Sequence, residues 1–383
     1  MRIVLGNASL ATYLQGGGHW SWFLQYPLGL RALRHDVFWL ELVASSGERE
    51  HDVRLVRDFF QRLASYGLDS DCAMLVFKGS LNVQALEESE VFGKSRDDLA
   101  EIIRGADLLL NFSCALRPPL LLQFAHRALL DFDPGHLQVA AQTWDLSIPE
   151  HDVWLTIGSR LNAPDCDVPT LGLRWRTFEP CVYLPMWQAT ADPGSDAPFS
   201  SITQWTWQEL PWRGRLLSIS KRAAYLEYVE LPRLTGRPFE LAANIGDDPV
   251  HDRMLLQQHG WKLVSPHQVC GSGPQYQCYI RASRAEFMCP KRIHVELKTG
   301  WFSDRSLAYL ASGRPVLARD TGFSERLPTG RGVIAFQNLE EAVAGIAEID
   351  GHYARHSRAA REMAEEFFDS RKCLAALLSA CGR

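Results

Sequence analysis

The sequence predicts an α/β protein of two Rossmann-like domains facing across a cleft. Three observations predict it. The chain has 383 residues, beyond the length at which a single hydrophobic core stops growing. Short apolar runs that end in polar residues alternate with amphipathic segments, the pattern of a parallel sheet with helices on both faces. A turn-rich stretch then interrupts the alternation, which restarts beyond it.

The first domain, residues 1–187, opens as strand, glycine loop, helix and strand. Ile3 to Leu5 are apolar and Gly16, Gly17 and Gly18 punctuate. Phe23, Tyr26, Leu30 and Leu33 recur at helical spacing before a second strand over Val37 to Leu42. Pro27 lies inside that helix, where its missing N–H predicts a kink. Further strands are expected over Leu108 to Asn111, Ala128 to Asp131, Val153 to Ile157 and Leu171 to Leu173. Residues 188–201, with Ala-Asp-Pro-Gly-Ser-Asp-Ala-Pro, lack apolar periodicity and read as a linker.

In the second domain, residues 202–352, strands are expected over Leu216 to Ile219, Phe239 to Ala242, Pro315 to Ala318 and Gly332 to Phe336, with helices over Ala223 to Leu234 and Pro249 to His259. Asn338 with Glu341 three residues on predicts a capped helix start. Residues 353–383 read as a C-terminal helix, charged on one side and able to pack back on the first domain.

Composition narrows the partners. A formal charge of -5 with 22% charged residues gives no reason to expect a polyanion, so nucleic acid is disfavoured. Nine cysteines without a Cys-x-x-Cys pair fit reduced thiols and supply no metal site. No apolar run approaches a signal peptide or a transmembrane segment, so a cytoplasmic protein is expected. Gly16, Gly17 and Gly18 lie well beyond the first strand with no Gly-x-Gly-x-x-Gly, which argues against a dinucleotide-dependent oxidoreductase.

The most informative stretch runs from Lys298 to Phe323. Ser303 suits an N-cap, Leu307, Leu310 and Ala311 mark a buried face, and Gly313 suits the left-handed position that ends the helix. A helix beginning at Ser303, Asp304, Arg305 and Ser306 presents free N–H groups and a partial positive charge to an anion, and Arg305 adds a forked donor. The following strand delivers Asp320, Thr321 and Gly322 to the carboxyl edge of the sheet, where ligands bind in open α/β folds. The plain alternative, a cap and a turn, stays open.

The segment Tyr309-Leu-Ala-Ser-Gly-Arg-Pro-Val-Leu-Ala-Arg-Asp-Thr-Gly322 resembles the donor-binding domain of GT-B glycosyltransferases. The chain is similar to bacterial glycosyltransferase-like proteins in which Gly-Trp-Phe-Ser-Asp-Arg-Ser and Asp-Thr-Gly-Phe recur. That similarity extends to Asp131-Phe-Asp-Pro-Gly135 and His151-Asp-Val-Trp-Leu-Thr-Ile-Gly158. The resemblance implies transfer of a sugar from a nucleotide-diphosphate donor, a UDP-sugar before GDP- or dTDP-sugars, with no obligatory metal or cofactor and with a small-molecule acceptor. Retaining members commonly carry Glu-x7-Glu, and the second Glu is missing here, so inversion is expected.

The same resemblance sets Lys221 and Arg222 against the donor diphosphate, where cations at a helix start are otherwise disfavoured. It makes His19 a general base for the acceptor hydroxyl; Asp131 and Asp133, at the end of a later strand, are expected to orient its other nitrogen, and Trp20, next to His19, to form an acceptor wall with Gly17 and Gly18 also at the acceptor. His19 as a mere helix cap, and Asp133 as a turn residue, remain alternatives. A non-hydrolysing nucleotide-sugar epimerase and a non-catalytic sugar-nucleotide-binding protein on the same scaffold are the competing functions.

Overall fold

The computed structural model describes residues 1–8, 10–246 and 250–383, with backbone only at Val250. Two sheets organise it. The first contains β1 (Arg2–Ala8), β2 (Asp36–Ala44), β3 (Cys72–Phe77), β4 (Ser89–Phe92), β5 (Leu108–Phe112), β6 (Arg127–Asp131), β7 (Val153–Thr156) and β8 (Trp175–Thr177), in spatial order β4-β3-β2-β1-β5-β6-β7-β8. All neighbours are parallel except β3 and β4. β3, Cys-Ala-Met-Leu-Val-Phe, is buried at every position, as expected of a strand covered on both faces.

The second sheet contains β9 (Phe199–Gln204), β12 (Phe239–Asn244), β13 (Trp261–Val264), β14 (Ala285–Met288), β15 (Val316–Arg319) and β16 (Val333–Phe336) in the order β13-β12-β9-β14-β15-β16, all parallel. A hairpin of β10 (Glu209–Trp212) and β11 (Arg215–Ser218) lies outside it. In both sheets strand order reverses beside the first strand, between β1 and β5 and between β9 and β14, and such a reversal opens a crevice at the carboxyl ends of the strands.

The helices are α1 (Gly17–Ala32), α2 (Arg49–Ala64), α3 (Arg96–Arg104) and α4 (His136–Ala140) with the first sheet. Those with the second are α5 (Arg222–Leu226), α6 (Leu231–Thr235), α7 (Val250–Gln258), α8 (Pro266–Cys270), α9 (Gly273–Ala282), α10 (Arg292–Glu296), α11 (Asp304–Ala311) and α12 (Leu339–Gly351). The chain ends in α13 (Tyr353–Phe367) and α14 (Ser370–Ala380). Backbone bonds from Val182 N to Phe368 O, 2.8 Å, and from Ser370 N to Val182 O, 3.0 Å, tie this end to the first half.

Several expectations need correction. Residues 199–201, read as the end of the linker, open the central strand β9. Its serines hide it from a hydrophobicity pattern yet are buried because they are bonded, Ser200 Oγ to the hydroxyls of Ser283 and Tyr309 and Ser201 Oγ to Phe287 O. The run Leu216 to Ile219 contributes to the hairpin β11 rather than to the sheet. Leu171 adopts a left-handed turn conformation, φ 58°, and the strand forms at β8 instead.

Helix α1 runs unbroken past Pro27, and the segment Ala223 to Leu234 divides into α5 and α6. The C-terminal helix is two helices because the Asp369 side chain accepts a hydrogen bond from Arg371 N and starts a new one. Gly313 has the expected left-handed φ of 71°, and the Asn338 side chain caps α12 through Glu341 N. Of the helix expected over Pro249 to His259, Pro249 lies outside the described residues. No helix among the described residues is long and apolar enough to cross a membrane.

Candidate active site between the two switch points

At the carboxyl edge of the second sheet lies a cavity of about 320 Å³ lined by Thr203 and Gln204 from β9, Asn244 from β12 and Asp304 and Arg305 from α11, with His19 and Trp22 closing it from the first half. Arg305 donates from Nε to Glu286 Oε1 at 2.8 Å, while its buried Nη2 has no partner. Burial works against this guanidinium, and Glu286 more than offsets it, so its pKa lies above the ordinary value. Burial raises the pKa of the Asp304 carboxyl beside it. Ser303 occupies the N-cap position, but its side chain bonds no helix N–H, and the buried Ser306 hydroxyl also lacks a partner. The start of α11 therefore keeps donors free.

Lys221 precedes α5, is only 8% exposed and does not itself line the cavity. Among the described residues its ammonium forms no hydrogen bond or ion pair, and its partner is the Trp301 ring, 5.6 Å away. Burial, together with the charges of Arg305 and Lys291, pulls its pKa down to about 7. An ammonium held this way is electrostatically incomplete.

Other residues expected at the donor are spoken for by the protein itself. Arg222 is exposed and makes a two-pronged pair with Asp252, 2.5 Å and 2.7 Å, which also accepts from Trp205 Nε1 at 2.9 Å. It fixes the start of α5 against α7. Asp320 accepts from Gly322 N, Ser324 N and Ser324 Oγ, so it shapes its own turn. Thr321 Oγ1 donates to Trp301 O at 2.6 Å, and Gly322, φ 97°, leaves no room for a Cβ against Arg160 of the first half. Of these three residues only Gly322 meets the first half, and none lines the cavity.

At the carboxyl edge of the first sheet a second cavity, about 350 Å³, is lined by Asn7 and Ala8 from β1, Phe112 at the end of β5, Ser113 to Ala115, Arg117, Leu81 and Asn82. His19 and Trp22 border both cavities. They stand three residues apart on α1 and so share a face. The His19 ring lies 5.1 Å from that of Tyr13 and 6.1 Å from that of Trp22, and no described residue hydrogen-bonds it. Although solvent reaches it, the crowding walls of the cleft lower its pKa from the ordinary imidazole value by desolvation.

Trp20, one position on, rotates into the core against Trp39 and Phe59, 1% exposed, and it is Trp22 rather than Trp20 that lines the two cavities. Gly17 and Gly18 border the donor-side cavity but are needed for contact between the halves. A Cβ on Gly17 would collide with the carbonyls of Cys270 and Ser272, and one on Gly18 would press the Tyr276 ring.

The expected dyad is not formed. Asp131 is buried and accepts from Gln138 Nε2 at 2.7 Å and Thr156 Oγ1 at 2.8 Å, and burial raises its pKa to about 6. Asp133 meets Lys291, His136 Nδ1 at 2.9 Å and His294 Nε2 at 3.2 Å; burial would raise its pKa, but these partners hold it well below the usual range. Neither touches His19. β6 lies two strands from β1, and the stacked rings of Trp22, Phe112 and Phe132 fill the space between. Asp133 instead joins the two halves, since Lys291 and His294 follow β14.

Solved structures share this architecture from end to end. Sucrose-phosphate synthase from Thermosynechococcus elongatus matches 99% of this chain and 98% of its own with a TM-score of 0.56 at 12% identity. Anabaena Alr3699/HepE, in complex with UDP and glucose, matches 99% of this chain and 100% of its own with a TM-score of 0.56 at 12% identity. The fold is GT-B. An alpha-glucosyltransferase in complex with UDP and a 13-mer DNA matches 100% of both chains with a TM-score of 0.58 at 11% identity. That complex corrects the reading that disfavoured nucleic acid: a GT-B protein is seen holding DNA, so a modest net charge is no ground for excluding it. No protein-family model and no curated protein matches the sequence.

Proposed function

We propose that the protein is a glycosyltransferase using a nucleotide-diphosphate sugar, a UDP-sugar first, bound in the second-sheet crevice. The observation that carries this reading is the start of α11 at the cavity wall, where the buried Nη2 of Arg305 has no partner among the described residues, with Lys221, a buried ammonium that makes no ion pair among the described residues, near enough to feel the Arg305 charge. A leaving diphosphate supplies the missing charge. The structural neighbours that hold UDP in the same fold support it.

His19 takes the proton of the acceptor hydroxyl as that oxygen attacks the anomeric carbon. The bond from that carbon to the phosphate oxygen breaks, and its electron pair leaves with the nucleoside diphosphate toward Lys221, Arg305 and the free N–H groups of α11. Attack from the face opposite the leaving group inverts the anomeric centre. Lys221 and Arg305 supply the neutralising charge, so turnover in the presence of a chelator is expected.

Thermal shift against a panel of nucleotide sugars tests the donor, because a ligand that binds only the folded state stabilises it by about 2.7 kcal/mol at a hundred times its Kd. A UDP-sugar should raise Tm and UDP release should depend on acceptor. Donor isomerisation without acceptor, or binding with no turnover across a broad acceptor panel, would overturn the transfer reading.

A further inference from the structure

The first-sheet cavity of about 350 Å³ carries its own unsatisfied group. Its aromatic floor is Trp22, stacked 4.7 Å from Phe132 and 5.7 Å from Phe112. One wall is the turn after β5, where Ser113 and Cys114 are both left-handed, φ 50° and 60°. Two successive non-glycine residues in that region are unfavourable and persist only when their surroundings hold them.

The hold is visible. The buried Asn111 side chain donates to Leu116 O and accepts from Leu116 N, both at 2.9 Å. Buried Gln84 accepts from Arg117 N at 2.8 Å and donates to Ala115 O at 2.9 Å. The backbone of Arg117 is therefore fixed, yet its guanidinium reaches only Asn82 Oδ1 at 3.4 Å and Asp145 O at 3.3 Å, both long contacts to neutral oxygens. No carboxylate pairs with it among the described residues, whereas Arg127 in the same sheet is held in two prongs by Asp152.

A clamped, strained turn thus sets an unpaired cation at the rim of an aromatic-floored cavity that His19 also borders. We infer that the acceptor presents a planar ring to Trp22 and an anionic group to Arg117. This rests on the transfer reading above for the word acceptor, and on the cavity alone for the chemistry. A hydroxylated aromatic acid has these features, and so does a nucleotide, whose base and phosphate lie side by side. The volume is within the range that takes one such unit.

The test titrates the full chain, with UDP saturating the donor crevice, against two pairs in which one member lacks the anionic group: 4-hydroxybenzoate with 4-hydroxybenzamide, and thymidine 5′-monophosphate with thymidine. In one pair the anion should bind at least about tenfold more tightly, the size of a lost charge-assisted hydrogen bond. The pair that shows it identifies the source. R117Q should erase the preference and R117K retain part of it, while W22A should weaken both members of the pair. Equal binding within both pairs, no binding by any probe, or a preference that survives R117Q would overturn the inference. Failure of UDP to bind would sink the donor reading instead, and the paired titrations would still decide this one.

Discussion

At the edge of the second sheet the charges are incompletely matched, and at the edge of the first they are almost all matched. Among the described residues Lys221 makes no ion pair and the Nη2 of Arg305 no hydrogen bond, although Glu286 holds the Arg305 Nε, while Asp131 and Asp133 on the other side are each met by two or more donors. The same contrast appears within one dipeptide: Lys221 is buried and alone, and Arg222 is exposed and bound to Asp252. A buried charge without a partner costs several kcal/mol. A fold tolerates that cost where a ligand returns it, which is the ground on which the second-sheet crevice is proposed as the donor's place.

The largest effect should come from the group common to both cavities. H19A is expected to lower turnover on the order of 10²- to 10⁴-fold with UDP affinity unchanged, measured by steady-state kinetics beside calorimetry. Full turnover at saturating substrates would remove His19 from the mechanism. Next comes Lys221 against Arg222. K221M should weaken donor binding by about 2–5 kcal/mol, as when one member of a buried charge pair is cut away, and yet raise the Tm of the free protein. The folded-state pKa near 7 lies below the ordinary 10.5, so the burden Lys221 places on the fold is complete below about pH 7 and fades as pH rises toward 10.5; the gain in Tm should fade with it. R222M should do the reverse, losing Tm by leaving Asp252 unpaired and leaving donor affinity within about threefold. If both variants moved Tm and affinity together, the distinction between the two charges would collapse.

How much of this was legible in the sequence follows from what a pattern can register. Apolar runs announced β1, β2, β5, β6 and β7, and the cap at Asn338 and the left-handed Gly313 were written in single residues. β9 was hidden because Ser200 and Ser201 are polar and buried, which needs partners on β14, on α11 and at Ser283 just past α9 that no local window contains. Lys221, His19 and Arg305 were singled out from their places at strand and helix starts and from the resemblance. Their state was not, since being unpaired is a property of the fold. Trp20 was preferred to Trp22 by adjacency to His19, where helical spacing of three residues would have pointed correctly. Arg117 had no sequence signal: its meaning comes from the Gln84 and Asn111 side chains beneath it.

Protonation offers a finer cut between the two edges. Below about pH 7 Lys221 carries its charge before the donor arrives; above it, binding a diphosphate must first take up a proton. Donor affinity should fall as pH rises past 7, by up to about tenfold per unit, and K221M should flatten that limb. On the acid side, turnover should fall only below 6.5, because the His19 pKa lies beneath the ordinary imidazole value, and H19A should lose that limb alone. Isothermal titration across pH 6 to 9 for the donor, and kcat profiles for the base, would show whether the two limbs belong to different residues.

The smallest effect should fall on Asp131. Gln138 Nε2 and Thr156 Oγ1 both donate to one oxygen of Asp131, which D131N keeps, and the substitution loses the other oxygen, the acceptor for Asp133 N, which places its cost at about 1 kcal/mol of stability. With Trp22, Phe112 and Phe132 stacked between it and His19, turnover should stay within about threefold of the unsubstituted protein. Denaturant unfolding and kinetics on one preparation decide this. A loss of turnover as deep as that of H19A, with stability unchanged, would mean that the carboxylate acts on the imidazole across the ring stack, and that the first sheet's matched charges are not architecture alone.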